Sequence, residues 1–110
     1  MNAAARRRVL DIVATDITFA IADLRGGRAW VGKCLYCGTR LVIGLDGEFE
    51  SEASVEHILA RSQGGTDDPE NLAIACRPCN VEKGRRHDSK RAADPERIAA
   101  ALALRRARWR

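Results

Sequence analysis

An α+β fold is predicted for this chain by three observations. Apolar residues near the N-terminus recur at three- and four-residue steps. Short apolar runs in the middle are punctuated by turn signals and by two Cys-x2-Cys pairs. An Asp-Pro pair then opens a second periodic stretch near the C-terminus. The 110 residues suffice for one small domain. Only 5 % of them are aromatic, so the core must be aliphatic and modest. Domains of this size often need a metal or a disulfide as a staple.

The elements follow in order. Val9, Ile12, Val13, Ile17, Ala20, Ile21 and Leu24 share one face of a helix expected over 3–24, which Gly26-Gly27 ends. Such a stripe packs onto the rest of a domain. The alternative is a helix led by Arg6-Arg7-Arg8 that contacts a partner or DNA. Leu41-Val42-Ile43 and the stretch near Glu48-Phe49 flank Asp46-Gly47, a hairpin signal, and Glu48, Glu50 and Glu52 read as a solvated strand face. Residues 54–58 read as a short strand and 59–70 as a loop broken by Gly64-Gly65 and Asp67-Asp68-Pro69. Residues 71–75 form a second apolar segment. A helix is expected from Arg77-Pro78 to about Gly84. A last helix is capped by Asp94, with Pro95 in its first turn and Ile98, Ala101 and Leu102 on its apolar side. The expected organisation is a single domain over 1–110, with an N-terminal helical region (1–27), a metal-stapled core (34–86) and a basic C-terminal helix (94–110).

The cysteines carry the strongest signal. Cys34, Cys37, Cys76 and Cys79 form two pairs of identical spacing. The N-terminus reads as no secretory leader, because the apolar residues after the three arginines are broken by Asp11 and Asp16. No run approaches the ~18 apolar residues of a membrane span. The expected location is the cytoplasm, where thiols stay reduced and paired Cys-x2-Cys spacing reads as zinc rather than disulfide. Four thiolates make a closed tetrahedral site with no open position. The 38 residues between Cys37 and Cys76 are thereby pinned at both ends, and Glu56, His57 and Asn71 lie inside that segment.

Charge is uneven. The first 76 residues hold eight Lys/Arg against eleven Asp/Glu, and the last 34 hold eleven against four. The positive excess from the second cysteine pair onward fits a polyanionic partner, most simply nucleic acid. A solvated helix face is the plain alternative.

Glu56 and His57 are neighbours on an expected strand, so they point to opposite faces unless the strand ends or twists there. With such a bend the carboxylate would bind a hard metal while the imidazole stands apart as a base.

The order Cys-x2-Cys, Glu-His-Ile, Gly-Gly-Thr-Asp-Asp-x-x-Asn-Leu, Cys-x2-Cys-Asn-x-x-Lys-Gly over residues 34–84 resembles the HNH endonuclease family. The resemblance implies a ββα-metal (HNH, or His-Me finger) motif, two short strands and a helix around one catalytic divalent ion, here joined to a structural zinc knuckle pair. It implies His57 as the general base that activates water, with Glu56 and Asn80 as ligands of catalytic Mg2+ or Mn2+. Asn71 would brace the loop and orient the histidine, and Lys83 would meet phosphate. Arg77, Arg85 and Arg86 are candidate phosphate contacts by charge and proximity. Two positions depart from the family pattern: Glu56 replaces the usual aspartate, and Ala60 stands where proline often follows. His87 reads as a solvated residue of the basic tail.

These residues suit metal-assisted hydrolysis of a phosphodiester, with DNA as the expected substrate. Two other readings stand beside it. One is a non-catalytic zinc-binding module that holds nucleic acid. The other is a zinc-stapled adaptor that docks a protein through its first helix.

Overall fold

The computed structural model describes residues 1–110. Its elements run α1 (Ala3–Ala14), β1 (Ala20–Leu24), β2 (Gly27–Lys33), β3 (Arg40–Gly44), β4 (Ala53–His57), β5 (Leu72–Cys76), α2 (Arg77–Lys83), a π-helical turn (Gly84–Asp88) and α3 (Pro95–Ala107). Strands β1, β2 and β3 form one antiparallel sheet with β2 in the middle, and β4 pairs antiparallel with β5 in a second. The β4–β5 hairpin followed by α2 is a ββα unit within an α+β fold.

The first helix is shorter than its apolar periodicity implied. It stops at Ala14, and Asp16 turns the chain: its Oδ1 accepts from Thr18 N at 2.8 Å and from Thr18 Oγ1 at 2.7 Å. That local side-chain turn competes with further helix. Ile17-Thr18-Phe19 is a β-favouring run, and the chain enters β1, so Gly26-Gly27 lies at a hairpin rather than at a helix end. Ile17 and Ile21, counted on the buried face, are exposed, while Phe19 is fully buried. The Phe19 ring lies where a Cβ at Gly32 would be, so β2 needs glycine there. The second strand expected near Glu48-Phe49 reduces to one bridge between Phe49 and Ile43.

The main core joins Val9, Ile12 and Val13 of α1 to Phe19, Leu41, Ile43, Leu72 and Ile74. Every residue of β5 is buried, because α1 covers one side of it and the cysteine-bearing turns and α3 the rest. Asp94 caps α3 as expected, its Oδ1 accepting from Glu96 N at 3.0 Å. Ala101 then packs with Leu35, Ile58 and Ala73.

The basic C-terminal end is largely engaged inside the fold. Arg105 is 1 % exposed. It donates to Leu72 O (2.7 Å), Thr15 O (2.9 Å) and Thr15 Oγ1 (2.7 Å), and lies 4.6 Å over the Trp109 ring. Arg108 donates to the carbonyls of Lys33 and Cys34, and Arg110 to those of Asp16 and Phe19. These arginines tie the chain's end to the three-stranded sheet and to the first knuckle. No helix is long and apolar enough to cross a membrane.

Candidate functional site

Four cysteines converge at the junction of the two sheets. Cys34 follows β2, Cys76 ends β5 and caps α2, and Cys79 lies in the first turn of α2. All four Sγ atoms lie within 4.8 Å of one another. Cys37 and Cys76 Sγ are 3.7 Å apart, far beyond a bond of about 2.05 Å. Two sulfurs on one tetrahedral zinc at about 2.3 Å would be separated by roughly 3.8 Å. Backbone N–H groups point at the sulfurs, from Tyr36 (3.4 Å) and Cys76 (3.3 Å) to Cys34, and from Cys79 (3.5 Å) to Cys76. Burial pushes the Cys34 thiol up, but the N–H groups of Cys37, Cys76 and Tyr36 outweigh it and bring the group down to about 7. Without a metal, burial pushes Cys76 and Cys79 up. The donor set fits a structural zinc, whose charge would hold all four sulfurs as thiolates.

Beside the cysteine cluster, β4 presents alternate side chains, Ser54 and Glu56, to α2. Asn80 and Lys83 lie one turn apart on that helix. Asn80 Nδ2 donates to Ser54 Oγ at 2.6 Å, and Lys83 Nζ stands 3.3 Å from Glu56 Oε1. Lys83 also donates to Asp88 Oδ1 (2.8 Å), Asp88 Oδ2 (2.9 Å) and His57 O (2.9 Å). Glu56 is 2 % exposed and Lys83 5 %. Burial raises the Glu56 carboxyl above its ordinary range, and the Lys83 ammonium opposes that rise. Glu56 Oε2 is buried and makes no hydrogen bond of good geometry, with the Tyr36 hydroxyl as its near neighbour. An orphaned hard oxygen on the face that carries the Asn80 amide fits a divalent cation, although Lys83 already neutralises the same carboxylate.

The opposite face of β4 carries the imidazole. His57 Nε2 lies 2.8 Å from Asp67 Oδ1. Asp67 also accepts two 2.7 Å contacts from Arg61 Nη2 and a 3.1 Å contact from Arg8 Nη2. The hydrogen bond with His57, followed by those from Arg61, draws the Asp67 carboxyl down to about 2. Nε2 meets both the Asp67 carboxylate at 2.8 Å and the Arg61 Nε–H donor at 3.3 Å; the shorter contact, to an ionised acceptor, favours the tautomer with the proton on Nε2 and the Nδ1 lone pair free.

Asn71 closes the loop that follows His57. Its Oδ1 accepts from Leu59 N (2.8 Å), and its Nδ2 donates to Leu59 O (3.1 Å) and Thr66 O (2.8 Å). Gly65 passes so close to Leu59 O that a Cβ there would lie 1.8 Å from it. Ala60 is accommodated in an extended conformation at the start of this loop.

The expected site residues therefore fall into three groups. Glu56, Asn80 and Lys83 share the α2 face. His57 and Asn71 share the loop face. No side-chain contact joins Glu56 to the His57 ring; the two faces meet only where Lys83 binds the His57 carbonyl. The third group is the exposed arginines, Arg77, Arg85 and Arg86. Arg85 and Arg86 both pair with Glu82 of α2. His87 is half-buried in the π turn, and burial lowers its pKa. Sequence reading missed Asp67 and Asp88 as partners. Asp67 lay in the Gly-Gly-Thr-Asp-Asp stretch but read as a loop breaker, and Asp88 reaches Lys83 only because a π turn continues α2.

The four-cysteine cluster, the antiparallel hairpin and the short helix define a ββα protein whose cysteines are placed to hold a zinc. Residues 34–86, just under half of the chain, match the family model described as HNH endonuclease, so this segment carries that family's motif. No curated protein and no solved structure shows a significant match.

Proposed function

We propose that the chain is a metal-dependent HNH endonuclease that hydrolyses phosphodiester bonds in DNA. The observation that carries this reading is the 2.8 Å contact between His57 and Asp67, which fixes the ring and favours the tautomer that presents Nδ1 as the base. His57 takes a proton from water onto Nδ1, and the hydroxide attacks phosphorus as the leaving oxygen departs. Asp67 holds the ring and its tautomer, and Asn71 holds the loop that carries Asp67. Glu56 and Asn80 would hold Mg2+ or Mn2+, which when bound supplies Lewis-acid stabilisation of the phosphate. His57 is the last residue of β4. The ring and the Glu56 carboxylate can serve one phosphate only around that strand end, so the substrate strand must cross it there. Lys83 acts first on Glu56 and Asp88, a positioning role in place of the direct phosphate contact that the resemblance implies. Arg77, Arg85 and Arg86 supply positive charge on the exposed side of α2.

One observation favours a second reading, a non-catalytic zinc-binding module for nucleic acid. Lys83 already compensates Glu56, so the carboxylate has a protein cation without any bound ion. A supercoiled-plasmid nicking assay with Mg2+, Mn2+ and EDTA, run beside His57→Ala, separates the two. Ion-dependent nicking that the substitution removes supports the endonuclease. DNA retention without nicking under every divalent ion supports the module.

A further inference from the structure

Trp109 is the one aromatic side chain among the exposed large apolar residues, at 40 % exposure. It is nevertheless held in place. Arg105, itself buried, lies 4.6 Å over one face of the ring, Arg110 N donates to Thr15 O at 3.2 Å, and Trp109 forms a backbone bridge with Asp16. A lone exposed apolar residue needs no explanation, but this one lines a cleft of about 600 Å3 between α1 and the end of α3. Arg7, Arg8 and Asp11 of α1 form the other wall, and Asp67 lies at its edge. The volume is that of a cleft for a small planar ligand.

Charge and position decide the occupant. Arg6 and Arg8 pair with Glu48 and Asp67, whereas the exposed Arg7 between them makes no ion pair and no hydrogen bond. Arg7 stands in the first half of α1, and Trp109 meets the helix at its C-terminal end, the unfavourable end for an anion. Asp11, one turn beyond Arg7 and also exposed, adds negative charge toward that end and can accept from an amino group of a base. An anion therefore belongs at Arg7 and a flat neutral ring at Trp109, which is the layout of a nucleotide. Bases in a duplex are covered by their own stack, so only an unpaired base can lie on the indole. Asp67, at the edge of the cleft, is 2.8 Å from His57, so the cleft adjoins the candidate base.

We propose that the cleft between α1 and the end of α3 binds an unpaired nucleotide of the DNA strand next to the scissile phosphate, with its base on Trp109 and its phosphate on Arg7. Both residues lie outside the segment that matches the family model, so the flanking helices supply this subsite. The identity of the strand rests on the function proposed above. The pairing of a free cation with a fixed, exposed ring does not.

The test follows tryptophan fluorescence of the zinc-loaded chain without added divalent ion, so that binding is read apart from cleavage. A short single-stranded DNA, a duplex of the same sequence and a deoxynucleoside 5′-monophosphate are the titrants. The single strand should quench saturably, and the other two should quench at least about tenfold more weakly. Trp109→Leu, checked for circular dichroism and zinc content, should bind the single strand about fivefold or more weakly, the low end for a lost base–aromatic stack. The remaining Trp30, half-buried on β2, should then give no response. Arg7→Gln alters an exposed, unpaired side chain and should reduce the steepness of log K against log salt by about 0.7, one phosphate contact to a single strand. Parent-like affinity in Trp109→Leu together with a parent-like salt slope in Arg7→Gln overturns the subsite even if the parent chain nicks plasmid. Equal quenching by the duplex also overturns it, and equal quenching by the monophosphate overturns the strand as its occupant. Saturable quenching by the single strand without nicking under any divalent ion keeps the subsite and removes the endonuclease function instead.

Discussion

Lys83 Nζ lies 3.3 Å from Glu56 Oε1, with both side chains almost wholly out of water. This pair crosses from α2 to β4 and sits on the face expected to hold the catalytic ion, so it links the stability of the ββα unit to its chemistry.

Lys83→Met should destabilise the fold by about 3–5 kcal/mol, because it leaves a buried carboxylate without its cation. Glu56→Gln in the same chain should restore only part of that loss, since Asp88 and the His57 carbonyl still lack the ammonium. Thermal or urea denaturation of the two variants measures this. Equal stability of Lys83→Met and the parent chain would mean that the pair carries no weight in the fold.

His57→Ala should lower nicking by ~10²–10⁴-fold, the usual contribution of a positioned base. Zinc content should not change, because the imidazole lies on the loop face, away from the sulfurs. Asp67→Asn should also slow nicking, with its larger effect on kcat than on KM, since the asparagine amide no longer enforces the same tautomer. Plasmid nicking and metal analysis together check both outcomes.

The Asp67 carboxyl is held at about 2, first by His57 and then by Arg61. That lies below the unfolded value of about 4. The folded state therefore gains from this carboxylate at all pH above about 4 and loses the gain as pH falls from about 4 through about 2. The group is exposed, so the gain is screened by salt. A carboxyl NMR titration should place the midpoint near about 2, and Arg61→Gln should move it toward about 4. A midpoint already near about 4 in the parent chain would show that no such clamp operates.

Removing zinc with a strong chelator should unfold residues 34–86, because the metal closes a segment whose ends are 38 residues apart. One zinc per chain should be found by elemental analysis, and Cys76→Ser should abolish it. Intact circular dichroism after complete zinc loss would show that the packed core alone sustains the unit.

Asn71→Ala should loosen the loop between β4 and β5. It removes three hydrogen bonds and leaves Leu59 N and the Leu59 and Thr66 carbonyls to find water, at roughly 1–3 kcal/mol for each group that stays buried. Faster amide exchange at Leu59 and in the loop, relative to β5, is the expected signature.

Much of the framework around the candidate site was legible because local chemistry left little choice. The paired Cys-x2-Cys spacing, the Asp94-Pro95 cap and the short strands around residues 55 and 73 each state their element in adjacent residues. The helix drawn through Ile17 to Leu24 did not survive, because those residues satisfy a helical period and a strand equally well. Asp16 and the pairing of β1 with β2 decided between them, and that pairing was not local. The terminal arginines are the same lesson in charge: a run that reads as a nucleic-acid grip instead places Arg105, Arg108 and Arg110 on backbone carbonyls of distant elements.

By itself the amino-acid order determined two cysteine pairs with the spacing of a zinc site around an HNH motif, since ligand type and spacing act over a few bonds. Tertiary structure alone decided which partners the ionisable groups take: Asp67 for His57, both Glu56 and Asp88 for Lys83, and none for the Arg97 guanidinium. Ionic and hydrogen-bond partners depend on distances of a few ångströms between segments far apart in the chain, and only packing sets those distances.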